Sequence, residues 1–183
     1  REPLLPLNLN VTAANEHVPE IERSIQTVKQ RNRSSIHGLP FKRYPRALLI
    51  AIVEFNIRWL NSFPAHESAS DYLSPRTIVL GKSPDFNTDC LLELGTYCEI
   101  DEANNPTNTP SARTRGAISL NPTGNVQGSY DFMTLNTGQV VSRHHWTPLP
   151  MTEDVIASVE ARALRQRQPL IRNHDFLYHW RRN

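Results

Sequence analysis

The chain contains two cysteines among 183 residues, at Cys90 and Cys98. That number excludes a disulfide framework, and one pair eight residues apart offers no zinc-ligand spacing. Both are expected to be small buried hydrophobes. Long hydrophobic runs are also missing. The longest apolar segment, Ala47 to Phe55, contains Glu54 and is too short to span a bilayer, so no membrane partner is expected. The early run Pro3–Val11 is broken by Pro6 and does not read as a signal peptide. Glycine is scarce (seven) and proline plentiful (fourteen), which favours short elements joined by long connections. A phosphate loop is excluded at Leu80-Gly81-Lys82-Ser83, because its first glycine would fall where Arg76 stands.

The hydrophobic content, 38%, suffices for a modest core and is too high for a disordered chain. The net charge of +2 is uninformative, but its distribution is not. Residues 20–46 hold seven Lys or Arg and two Glu, and residues 160–183 carry a balance of +4. Residues 85–111 hold six acids and no Lys or Arg. Segregated charge fits polyanion contact at particular surfaces. The ordinary alternative is a set of solvated faces.

Pro19 at a first-turn position, Glu20 and Glu22 behind it, and Lys29, Arg31 and Arg33 further on predict a helix whose charges suit its dipole. Ile21, Ile25 and Val28 form its apolar face, and Glu22, Gln26, Lys29 and Arg33 form a second, narrow row beside it. A second helix is predicted between Pro45 and Pro64. Its rows Leu48/Ile52/Phe55/Trp59 and Leu49/Val53/Leu60 predict burial on most sides. A short helix from Ser74 ends at Gly81, and a last one begins at Glu153 and leads into a basic tail.

From about Leu94 the period changes to that of strands. Thr96–Asp101, Arg115–Asn125, Ser129–Leu135 and Gln139–Trp146 predict four short strands closing into a small antiparallel barrel. The connection from Asp101 to Arg113 is polar and contains proline, so a long exposed loop is expected. Residues 1–14, with Leu7, Leu9 and Val11 alternating, suit one strand or a frayed end. His144 and His145 are placed on opposite faces of one strand, unable to chelate together. Proximity of His66, Ser68 and Asp71 along the chain does not make a triad, since triads are assembled by the fold.

One series of motifs goes further. "EHVPEIERSIQTVKQRNRS", "LPFKRYPRALLIAIVEFNIRWLNSFP", "YLSPRTIVLGKSPDF" and "GAISLNPTGNVQGSYDFMTLNTGQVVSRHHWTPLPM" follow one another in order. From about Asn15 to Val159 the chain resembles the integrase region of copia-type LTR-retrotransposon polyproteins. The resemblance implies an α+β chain. Residues 1–87 would be the end of a ribonuclease-H-like catalytic core, 94–150 an SH3-like barrel and 151–183 a helix with a basic tail. It implies DNA integration as the parent activity, with an Asp, Asp, Glu triad holding Mg2+ or Mn2+ in the full-length enzyme.

The Glu22-Arg23 pair matches the "ER" pair that carries the third acid in related elements. Glu20 is the rival, and the row shared with Gln26, Lys29 and Arg33 favours Glu22. Gln26, Lys29 and Arg33 then become candidates for contact with DNA, phosphates above all. On the barrel the candidates are Arg113, Arg115 and Arg143, with Trp146 as a stacking or packing group.

Residues 1–14 hold no Asp, and the chain opens on Arg1. A piece of a longer chain is therefore expected, inactive alone and needing no metal of its own. Its expected setting is intracellular, in the nucleus or a cytoplasmic particle, with DNA and further copies of itself as partners. The alternative is a non-catalytic nucleic-acid-binding or protein-assembly module derived from such an element.

Overall fold

The structure, a computed structural model, describes residues 19–64, 70–102 and 112–171. The expected strand within 1–14, the loop residues 103–111, His66 and Ser68, and the tail beyond 171 lie outside the described residues. The protein is α+β. Helices α1 (Pro19–Gly38), α2 (Arg46–Leu60), α3 (Pro75–Leu80) and α4 (Phe86–Asp89) come first. Strands β1 (Tyr97–Asp101), β2 (Thr114–Pro122), β3 (Tyr130–Thr134), β4 (Val140–Arg143) and β5 (Trp146–Pro148) follow, and α5 (Glu153–Arg165) closes the order. No helix among the described residues is long and apolar enough to cross a membrane.

Local chemistry explains most boundaries. Ser74 caps α3 by accepting from the Thr77 N–H, and Gly81 ends the helix at φ +65°, a conformation costly for any residue with a Cβ. Thr152 caps α5 in the same way through Val155. That helix ends in a Schellman arrangement, with the Gln168 N–H donating to Ala163 O at 3.0 Å. The left-handed position is held by Arg167 rather than by glycine.

The sheet is antiparallel throughout, in the order β4-β3-β2-β1-β5. It corrects the expected four-stranded barrel in two respects. The segment expected as one last strand breaks at His144-His145 into β4 and β5, and these two edge strands share no ladder, so the barrel does not close. The sheet is nevertheless rolled. Laid flat, five strands would separate the edges by about 19 Å, whereas the chain from Arg143 to Trp146 spans at most about 11 Å. Only curvature brings β5 within reach of β1.

Rolling gives the sheet two apolar faces. Cys98, Ile100, Ala117, Tyr130 and Phe132 fill the inside, with Trp146 against Tyr130 and Phe132 at ring distances of 5.1 and 5.8 Å. The opposite face, Ile118, Leu120 and Met133, packs on Leu48, Leu49, Ala51 and Ile52 of α2 and on Val155 and Val159 of α5. β2 is thus covered on both sides, which is why six consecutive residues, Ala117 to Pro122, are buried. The second cluster also takes in Ile36 of α1, so one apolar cluster runs across the segment boundary read at residues 87–94.

Two helix faces differ from expectation. α1 is not buried along Ile21 and Ile25, which are 57% and 47% exposed; Val28 is half-buried, and the buried residues of this helix are Asn32 and Ile36. A polar junction joins α1 to α2 beside the buried Ile36. Asn56 Nδ2 lies 2.9 Å from Asn32 Oδ1, 3.0 Å from Ser35 Oγ and 2.9 Å from Ile52 O. Likewise α2 is buried along Leu48, Leu49, Ala51, Ile52 and Asn56 but exposes Ile50 and Ile57, because α1 and β2 cover one side of it.

Candidate nucleic-acid interface

The row on α1 is laid out as its spacing predicts. Glu22, Gln26, Lys29 and Arg33 are all exposed on one continuous helix. Their order places carboxylate before amide before cation, so the positive charge of the row lies toward the helix's C-terminal half. Among the described residues no three His, Cys, Asp or Glu side chains converge to hold a metal ion. Glu22 thus stands on the helix surface apart from any carboxylate cluster of the described residues.

The three sheet arginines gather at one place, the end of β1, and two of them are engaged there. Arg115 is ion-paired with Glu102. Arg143 donates from Nε to Asp101 O and from an Nη to Ser142 O, each at 2.8 Å. Arg113 is exposed, and its carbonyl accepts from the Glu102 N–H at 2.8 Å. The Arg143 bond crosses the roll from β4 to the end of β1, whereas the Arg115 and Arg113 contacts link the neighbouring strands β1 and β2. Trp146 is a packing group within the rolled sheet.

His144 and His145 do not point to opposite faces of a strand. They form the break between β4 and β5, with ring centroids 4.2 Å apart. Leaving the extended conformation removes the alternation on which that expectation rested. Cys98 is buried as expected, and desolvation pushes its thiol up to about 11. Cys90 is exposed instead, in the turn after the four-residue helix α4, which the sequence reading missed. The signal for α4 was the cap at Asp85, whose Oδ1 accepts from the Asn87 N–H at 2.9 Å.

A cationic cavity of about 510 Å³ was not legible along the chain. It lies between α2, α3 and the Thr123-Gly124 turn, and Arg58 and Arg76 line it. Arg76 meets Asp89 at 3.6 Å through one Nη, while its other Nη is buried without a hydrogen-bond partner. Desolvation, and next the Arg76 charge, depress the Arg58 pKa, against the opposite pull of Asp89, Asp131 and Glu54.

No protein-family model, curated protein or solved structure matches the chain.

Proposed function

We propose that the chain is an integrase-derived segment that contacts DNA without catalysing strand transfer: the end of a ribonuclease-H-like core followed by an SH3-like sheet. The observation that carries this reading is the exposed row from Glu22 to Arg33, set within the ordered motif series of the copia-type integrase region. The rolled five-stranded sheet fits an SH3-like module whose edges stay apart. In the parent enzyme Glu22 would supply one carboxylate to a divalent-metal site. In this chain the same row serves as a phosphate-tracking surface, with Lys29 and Arg33 as its cations.

The test is the salt dependence of binding to a labelled DNA duplex. Each phosphate contact contributes a slope of about −0.9 in log affinity against log salt. The Lys29→Gln/Arg33→Gln variant should therefore flatten the slope by about two contacts. An affinity that ignores salt, or a double variant indistinguishable from wild type, refutes the reading.

A protein-assembly role is the second reading, and one observation favours it. Tyr72, Val79 and Phe86 are 90%, 80% and 76% exposed, an unusual apolar display for a free surface. Sedimentation over a concentration series distinguishes self-association from a monomer.

A further inference from the structure

The cavity between α2 and α3 is independent of the α1 row and has a different chemistry. Three separate elements build it. Arg58 comes from α2, Arg76 from α3, and the Thr123-Gly124 turn follows β2. Gly124 sits at φ +76°, and the point where its Cβ would lie is 3.4 Å from an Nη of Arg76 and 3.6 Å from an Nη of Arg58. Two guanidinium groups thus converge on one small volume.

Convergence of like charges is costly unless something negative offsets it. Asp89 offsets part of it, at 3.6 Å from Arg76. That carboxylate is 5% exposed, and it also accepts from the Asp85 N–H at 3.2 Å. Asp131 and Glu54 act on Arg58, but less strongly than Arg76 does. One buried Nη of Arg76 still has no acceptor. The other Nη, which faces Gly124 and Arg58, meets Asp89 only at 3.6 Å, longer than a hydrogen bond, so an oxyanion placed between the two forks can accept from it.

The rest of the cavity is not ionic. Val79 and Leu80 line it and are 80% and 62% exposed, so an apolar shelf adjoins the cationic end. A bare inorganic anion has no use for such a shelf, whereas a sugar and base do. The volume lies within the range of small-molecule sites.

We propose that this cavity binds the phosphate of a nucleotide unit, with Arg58 and Arg76 on the phosphate oxygens and Val79 and Leu80 against the sugar and base. The phosphate can belong to a free nucleotide or to a nucleic-acid strand. The site does not depend on the integrase reading, since none of its residues belongs to the α1 row.

The experiment uses the full chain, amide NMR spectra and three probes at constant ionic strength: inorganic phosphate, adenosine 5′-monophosphate and a short single-stranded oligothymidylate. The Thr123, Gly124 and Arg76 amides should move with phosphate and with the monophosphate, the latter binding more tightly because it also covers the shelf. Arg58→Gln should weaken monophosphate binding roughly tenfold, the loss of a charge-assisted hydrogen bond. Val79→Asp, at an exposed position that tolerates substitution, should weaken it too, and this second variant keeps the test decisive if Arg58→Gln unfolds. Lys29→Gln/Arg33→Gln should leave it unchanged, which separates this site from the DNA surface proposed on α1. Oligothymidylate that displaces the monophosphate identifies the strand as the source, and failure to displace it identifies the free nucleotide. Static cavity amides in all three titrations, or Arg58→Gln and Val79→Asp variants that bind as wild type does, overturn the proposal.

Discussion

Asn56 anchors the C-terminal half of α1 through polar contacts beside the buried Ile36, so truncating it should cost more than its size suggests. Asn56 is 7% exposed and its partner Asn32 is 4% exposed. In Asn56→Ala the Asn32 and Ile52 oxygens lose a donor, and Ser35 Oγ loses the acceptor that it meets at 3.2 Å. Two net hydrogen bonds, plus the desolvation of an oxygen left buried and unpaired, come to about 3 kcal/mol. That is a large share of the roughly 5–15 kcal/mol that stabilises a typical domain. Urea denaturation followed by far-ultraviolet circular dichroism reads it directly. Asn32→Ala should cost about 2 kcal/mol for the same reason. Because the two side chains share one bond, the double variant should fall short of the summed losses by about 1 kcal/mol. If Asn56→Ala costs under about 0.5 kcal/mol, as an exposed substitution would, or if the two losses simply add, then the junction does not hold α1 and the reasoning fails. The same loss should weaken the proposed DNA binding through Lys29 and Arg33, since a loosened α1 no longer presents them on a fixed line.

Arg162 ties α5 to the β3–β4 turn by donating to the carbonyls of Leu135, Asn136 and Thr137 at 2.9, 2.6 and 2.6 Å. Arg162→Ala should lower stability by about 2 kcal/mol, whereas Arg165→Ala at an exposed position should stay within about 0.5 kcal/mol, both read by thermal melting. The two thiols should separate kinetically. At mildly alkaline pH a thiol reagent should modify exposed Cys90 first, more slowly than a free thiol because burial, Asp89 and Asp85 raise its pKa, and should reach Cys98 only on unfolding. Cys98 also sets a pH limit. Its folded pKa of about 11 lies above the ordinary thiol value of 9.0, so the unfolded chain loses that proton first. Its contribution is complete below pH 9 and declines as pH rises toward 11, and Cys98→Val should remove that decline in urea midpoints taken across the window.

Local patterns carried much of the architecture. Pro19, Pro45, the Ser74 cap with Gly81, and Thr152 mark helix ends at or near the positions the structure assigns. Alternation in Tyr130–Leu135 correctly divides Tyr130 and Phe132 from Met133, because period two is a property of the extended backbone itself. Such signals depend on neighbours a few residues away, so the chain displays them without help. The exposure of the Glu22–Arg33 row was legible for the same reason, since four residues at helical spacing share a face whatever lies beyond them.

What the sequence could not decide was which apolar face finds a partner. Ile21 and Ile25 read as core but stay exposed, whereas Asn32 and Ile36 further along α1 are buried. The break at His144-His145 and the open roll of the sheet depend on β5 pairing with β1, a contact between residues almost fifty positions apart. The cavity of Arg58, Arg76 and Gly124 joins three elements that no spacing rule connects. The sequence alone therefore determined element type, caps and the order of charge along α1, all set by bonds and turns within one element. Tertiary structure decided burial, sheet closure and the convergence of the two arginines, because each is settled by competition among distant surfaces for a limited area of contact.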